Sequence, residues 1–165
     1  VSIMYLSGNK WEKIGKSGME LLTGEFKNTL DEKGRLSLPA RLRSELPGNI
    51  LVMTQGVDRC LWLFAPEQWK ILSRKLMETT SPFQARSRMV QRRIIAPAQE
   101  VEIDKAGRIA IPQSLREFAA LNRECVILGI DKYIEIWDAD QYKQYWDENE
   151  AEFRSAAEEL SSVFL

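Results

Sequence analysis

An aspartate followed four positions later by an arginine, with glycine just before the arginine, occurs twice in this chain. The two copies are Asp31-Glu-Lys-Gly34-Arg35 and Asp104-Lys-Ala-Gly107-Arg108. Residues of these types at this spacing are suited to gripping an anion. A carboxylate at the entrance of a turn caps turn amides or holds a guanidinium in one orientation. Glycine reaches positive φ without steric cost. A guanidinium with a fixed fork matches phosphate oxygens or the O6/N7 edge of guanine. Lys33 and Arg35, like Lys105 and Arg108, are therefore candidate binding cations, and Asp31, Gly34, Asp104 and Gly107 are the residues that would orient them. Taken singly, each Asp and Arg could instead brace its own hairpin, an exposed ion pair of only ~0–1 kcal/mol. Two copies in the same setting favour a functional constellation.

Composition narrows the chemistry further. The 165 residues include no histidine, which removes Ser-His-Asp and Cys-His catalysis, His-ligated zinc and imidazole proton shuttles. Cys60 and Cys125 are too few for a Cys₄ metal site and read as inert packing. Asp31, Asp58 and Asp104 are ordinary turn residues, unaccompanied by a phosphate loop or metal-ligand spacing. No apolar run reaches the ~20 residues of a membrane span. The expectation is a non-enzymatic cytoplasmic protein without metal, cofactor, small-molecule substrate or membrane partner.

The elements that must position the two motifs are themselves repeated. Residues 31–43 read DEKGRLSLPARLR and residues 104–116 read DKAGRIAIPQSLR, an offset of 73 (104 − 31). The same offset matches Gly56 with Gly129, Asp58 with Asp131, and Gln68-Trp69 with Gln141-Tyr142, so it is expected to run without insertion. Each turn leads into a short strand with apolar side chains on one face, Leu36 and Leu38 or Ile109 and Ile111. Pro39 and Pro112 end these strands and open short helices to about Leu46 and Leu121. Two strands follow, roughly 50–54 with 60–64 and 124–128 with 133–137. A longer helix closes each unit. The first starts at Pro66 with Trp69, Leu72 and Leu76 on one side, and the second follows Asp138 as N-cap with Tyr142, Tyr145 and Trp146 packed inward. Trp62, Trp69, Trp137 and Trp146 read as core or interface residues.

Five segments result: an extension over 1–18, a first repeat over 19–80, a basic linker helix over 81–96, a second repeat over 97–149 and an acidic tail over 150–165. In the linker, Ser81-Pro82 is expected to start the helix, with Phe83, Val90 and Ile94 on its inner face. Charge divides unevenly. Residues 25–96 hold thirteen basic and seven acidic side chains, whereas 97–165 hold seven basic and fifteen acidic. A basic half can meet an anionic partner such as nucleic acid, or the acidic half of a neighbouring copy. The tail offers Phe153, Leu160 and Phe164 for docking.

The pattern D-x-x-G-R-[LI]-x-[LI]-P-x-x-L-R, twice per chain, resembles the MraZ family of the AbrB/SpoVT-like DNA-binding superfamily. Leu22-Thr-Gly-Glu-Phe26, Arg92 through Ala98 and Glu135-Ile-Trp137 extend the resemblance across about residues 19–146. It implies an α+β, mainly β fold in which swapped hairpins of two AbrB-like repeats form a small barrel with flanking helices. It also implies ring-like homo-oligomers, nucleoid association, and transcriptional regulation at promoter repeats of the bacterial division and cell-wall gene cluster. An AbrB-like antitoxin or interaction module, binding a protein partner as well as double-stranded DNA, is the alternative. By the same resemblance Arg35 is the residue most associated with DNA contact, with Lys33 beside it and Arg108 in the equivalent place. Arg41, Arg43 and Arg86 are added here as candidate phosphate contacts. Residues 1–18 have no counterpart in the second unit. A chain beginning at Met19 is expected to assemble and bind DNA like the full chain, and loss of either property in a gel-shift or light-scattering comparison would refute this.

Overall fold

The computed structural model describes the backbone of residues 3–7 and 10–14 and the whole of 21–164. Strand β1 (Ile3–Ser7) pairs antiparallel with β2 (Lys10–Ile14) as a separate hairpin. Met19 lies outside the described residues. The first repeat follows as β3 (Leu22–Thr29), β4 (Arg35–Ser37), α1 (Ala40–Glu45), β5 (Ile50–Gln55), β6 (Leu61–Phe64) and α2 (Pro66–Thr79). The linker is α3 (Ala85–Val90), continued by a π-turn over Gln91–Ile95. The second repeat is β7 (Gln99–Glu102), β8 (Arg108–Ala110), α4 (Gln113–Phe118), β9 (Glu124–Asp131), β10 (Tyr133–Asp138) and α5 (Ala139–Phe164).

The fold is α+β and mainly sheet, and the two repeats are interlocked. Six antiparallel strands run in the order β3-β9-β10-β6-β5-β7, so each outer strand pairs with a strand of the other repeat. Strands β4 and β8 form a separate two-stranded ribbon, with Leu36 opposite Ile109. Alternation decides which side of the ribbon is inside. Leu36 and Ile109 are fully buried, whereas Arg35, Ser37, Arg108 and Ala110 face outward. The main core lies between ribbon and sheet, where Leu36, Leu38, Leu42 and Ile109, Ile111, Leu115 meet Leu51, Met53, Leu61, Leu63, Ile127, Ile134 and Ile136. A smaller cluster of Cys60, Val126 and Trp137 packs under Tyr142 and Tyr145 of α5.

The expected barrel does not close. Strands β3 and β7 are free edges of the six-stranded sheet, and the ribbon covers the open side without a continuous ladder to either. Both ribbon strands are three residues long and stop at prolines, which carry no N–H for further pairing. Where a ladder from β3 would continue, the side-chain amide of Asn28 donates to the Ser37 carbonyl at 2.6 Å instead. In the second repeat an isolated bridge between Ile103 and Ile109 lies between β7 and the ribbon.

The uniform offset also fails over one strand. Val52 pairs with Phe64, and Val126 pairs with Trp137. Phe64 and Trp137 are 73 apart, but Val52 and Val126 are 74 apart. Leu51 and Met53 therefore correspond to Cys125 and Ile127, all of them fully buried. Gly56/Gly129 and Asp58/Asp131 are not structural equivalents. One extra residue precedes β9, where Ala120 closes α4 at φ 51°. One residue fewer then joins β9 to β10, where Asp131 takes φ 57° and Ile130 pairs with Tyr133 across a two-residue turn.

The helices follow the sequence reading except in the linker. Pro66 opens α2 in its first turn, and Asp138 caps α5 by accepting from the Gln141 amide at 3.2 Å, while its other oxygen accepts from the Asn122 amide at 3.1 Å and ties down the loop before β9. Ser81-Pro82 starts no helix: the Ser81 hydroxyl accepts from the Phe83 amide within a turn, and α3 begins at Ala85. Phe83 is consequently 93% exposed and Val90 also lies outside, while Ile94 is buried. Ile94 lies in the π-turn, whose wider turn departs from the α-helical spacing that would group these three residues on one face. The acidic tail is continuous with α5.

The two faces of β4 should respond differently to truncation. Leu36→Ala opens a cavity at the meeting point of both repeats and should lower urea-unfolding stability by about 2–5 kcal/mol. Ser37→Ala, one residue further on the exposed side, should change it by no more than about 0.5 kcal/mol.

Candidate nucleic-acid interface

The two D-x-x-G-R turns are built alike. Asp31 Oδ1 accepts from the amides of Lys33 at 2.9 Å and Arg35 at 2.8 Å, while Oδ2 accepts from Arg35 Nε at 2.7 Å. In the second turn Asp104 Oδ1 accepts from the amides of Ala106 and Arg108, and Oδ2 from Arg108 Nε at 3.1 Å. One carboxylate thus performs both tasks that the spacing predicts, capping the turn and fixing the guanidinium. Backbone hydrogen bonds from Arg35 and Arg108 are the main cause that holds the two carboxyls below their ordinary value of 3.8. Because each arginine is bound through Nε, its terminal nitrogens remain free; among the described residues they make no hydrogen bond.

The turn glycines meet two requirements. Gly34 has φ 75° and Gly107 φ 79°, a region that disfavours side chains. Each also receives an arginine from the opposite repeat. A Cβ on Gly107 would lie 2.6 Å from Cζ of Arg43, and one on Gly34 would collide with Arg116. Arg43 Nε donates to the Leu38 carbonyl at 3.0 Å, whereas Arg116 Nε is buried without a partner among the described residues. The last residue of each repeated motif is therefore a seat for the other motif's turn. Sequence reasoning placed Arg43 among phosphate contacts and passed over Arg116; the shared final Leu-Arg was the available signal.

Arg35 and Arg108 stand on one exposed surface. Arg35 lies opposite Ala110, and Arg108 lies opposite Ser37, so the two arginines are diagonal neighbours, a placement that puts them roughly 7–8 Å apart on such a ladder. The small side chains of Ser37 and Ala110 complete this surface. Lys33 and Lys105 are exposed at the tips beyond its two ends. Arg41 is exposed on α1, with Nη2 at 3.5 Å from Thr23 Oγ1. Arg86 is not brought to the ribbon: it lies on the linker, whose π-turn packs on β5 and α2. Arg93 of that turn lies 4.3 Å from the Phe118 ring and donates to the carbonyls of Gly56 and Val57.

No group of three or more His, Cys, Asp or Glu placed to hold a metal occurs among the described residues. Burial raises the Cys125 thiol to about 11 and the Cys60 thiol further still, so neither is a nucleophile at neutral pH. Glu135 accepts from the indoles of Trp62 and Trp137, at 3.1 Å each. No described helix is long and apolar enough to cross a membrane.

The tips should loosen only in acid. A lowered carboxyl pKa means that the Asp31 contribution is complete above 3.8 and is lost as pH falls through the still lower folded-state value. Amide exchange at Lys33 and Arg35 should therefore stay protected from neutral pH down to about 4. Gly34→Ala should raise exchange at both amides at neutral pH, because the left-handed conformation alone disfavours alanine by roughly 1–2 kcal/mol.

Comparison with known proteins agrees with this architecture. The family model described as "MraZ protein, putative antitoxin-like" matches twice, over residues 21–93 and 94–164. A Treponema denticola protein named transcriptional regulator MraZ is 55% identical over 142 residues, covering 86% of this chain and 99% of that protein. The protein of that name from Treponema pallidum subsp. pallidum is 50% identical over 143 residues, 87% of this chain and 96% of its own. One from Ligilactobacillus salivarius is 41% identical over 141 residues, 85% and 96% of the respective chains. With both repeats matched and the relatives covered almost from end to end, the chain belongs to the MraZ family.

Proposed function

We propose that the chain is a sequence-specific, double-stranded DNA-binding transcriptional regulator that works as a homo-oligomer at promoter repeats, and that it is not an enzyme. The observation that carries this reading is the β4–β8 ribbon, which presents Arg35 and Arg108 side by side with Nε held and the terminal nitrogens free. A two-stranded ribbon has the width to enter the major groove, where a guanidinium fork pairs with guanine O6 and N7. Ser37 and Ala110 are small enough to let the ribbon backbone approach base edges. Lys33, Lys105 and Arg41 surround this surface and would neutralise phosphates, which fix register without reading sequence. Arg43, seated on Gly107, would act by holding the second turn in place.

One ribbon is a small footprint. Single DNA-binding modules cover roughly 600–1,000 Å², so tight binding would come from several copies engaging successive repeats, with assembly setting the effective concentration. The names borne by the relatives support the regulatory role, and the division and cell-wall promoters follow from the family resemblance. Cytoplasmic, nucleoid-associated localisation accords with a DNA partner.

In a gel-shift titration on the gene's own upstream region, Arg35→Ala should abolish specific binding while the circular dichroism spectrum stays unchanged. Arg41→Ala should weaken all sequences by a similar factor. Wild-type affinity should fall steeply with salt, as expected when phosphate contacts release counterions. An Arg35→Ala chain that still protects the promoter repeats would overturn the assignment of this surface.

A further inference from the structure

Exposed apolar residues are concentrated on two surfaces away from the ribbon. Of thirteen large apolar side chains exposed among the described residues, nine lie on the α2–α3 segment or on the end of α5. The α2–α3 group is Ile71, Met77, Phe83, Met89 and Val90, and the α5 group is Phe153, Leu160, Val163 and Phe164. Concentrated exposure of this kind marks a contact surface.

The end of α5 has the form of a docking helix. The helix runs 26 residues, about 39 Å, and every residue from Glu150 to Phe164 is exposed. Phe153, Ala157, Leu160 and Phe164 follow at i, i+4, i+7 and i+11, which aligns them along one edge. Residues 147–164 around that edge hold six acidic side chains and one basic.

A receptor of opposite charge lies on the first repeat. Between α2 and the end of the linker is a groove of about 410 Å³, with Trp69, Met77, Ile95 and Ala98 in its lining and Lys70 and Arg74 beside them. Residues 66–95, which carry most of it, hold seven basic and two acidic side chains. Ser73 leaves this groove open. At the corresponding position of the second repeat stands Trp146, whose ring packs on Tyr142, Tyr145 and Phe153.

We propose that the end of α5 is a docking helix that seats its Phe153–Leu160–Phe164 edge in the Trp69–Met77–Ile95 groove of a second copy of this chain. This rests on the homo-oligomer part of the proposed function and gives it a contact. Pairing of two α5 ends would bring acid against acid, whereas the groove supplies both the apolar lining and the opposite charge. Helix and groove are different surfaces of one protomer, so the contact is head-to-tail and propagates to a ring or a filament.

Light scattering on the full chain tests this. Ser73→Trp fills the groove from within, because Ser73 is part of its lining, and Phe153→Asp/Leu160→Asp removes the apolar edge. All three positions are on exposed helix surface or the groove wall, and each variant is checked for native circular dichroism. Wild type should form multiples of the 19.0 kDa chain. Each variant should remain a 19.0 kDa monomer, and an equimolar mixture of the two should form a particle of twice that mass and no larger, because one intact helix meets one intact groove. Arg74→Glu/Lys75→Glu should likewise dissociate the assembly, and adding Glu158→Lys/Glu159→Lys in the same chain should restore it. A monomeric wild type, which would leave the groove to a different protein, overturns the proposal. So does wild-type assembly by Ser73→Trp, or a mixture that stays monomeric. Arg35→Ala should assemble like wild type, so its behaviour on DNA bears only on the DNA-binding reading and the groove variants bear only on this one.

Discussion

Leu36 and Ile109 meet across the β4–β8 ribbon with no exposure to solvent, and the rest of the molecule is arranged around that pairing. Because side chains alternate along a strand, burying these two residues forces Arg35, Ser37, Arg108 and Ala110 outward. The same register places each D-x-x-G-R turn beneath the helix of the other repeat, where Arg116 covers Gly34 and Arg43 covers Gly107. The apolar core and the cationic surface are thus opposite faces of one short ribbon. A slip of one residue would exchange them.

Much of this was legible in the chain because the relevant interactions are local. Asp31 with Lys33 and Arg35, Pro66 at a helix start, and Asp138 as a cap all act within four residues, and spacing alone indicates their roles. Which strand pairs with which is not local. Periodicity places Leu36 and Ile109 on buried faces, but only the family resemblance pointed to exchange between repeats. The structure adds that the exchanged strands leave the barrel open.

The shift in β9 shows how identity in sequence can mislead about position. Gly56 and Gly129 match at the common offset, yet the buried sets Leu51/Met53 and Cys125/Ile127 require one more residue. Burial on the core face sets the register of the strand, whereas each glycine answers a different local crowding: a Cβ on Gly56 would lie 2.8 Å from Cys60 Sγ, and one on Gly129 would lie 2.9 Å from the Thr23 amide nitrogen. The linker failed for another reason. Ser81-Pro82 has the composition of a helix start, but the Ser81 hydroxyl closes a turn instead, and a π-turn follows that no apolar periodicity reveals. The seating of Arg43 on Gly107 was not legible, because an arginine at the end of a short amphipathic helix shows no such neighbour until the opposite turn is in place.

Interlocking within a single polypeptide has a consequence for how such a chain can change. Two separate copies exchanging hairpins would depend on encounter in solution, and every substitution would appear on both sides at once. Joined by a linker, the halves meet at a local concentration set by the tether, so dilution does not separate them. Each half is also free to diverge. Glu32 of the first repeat corresponds to Lys105 of the second, Lys33 to Ala106, and Ser73 to Trp146. The two repeats of one chain thus make a scaffold of like architecture with two dissimilar ends.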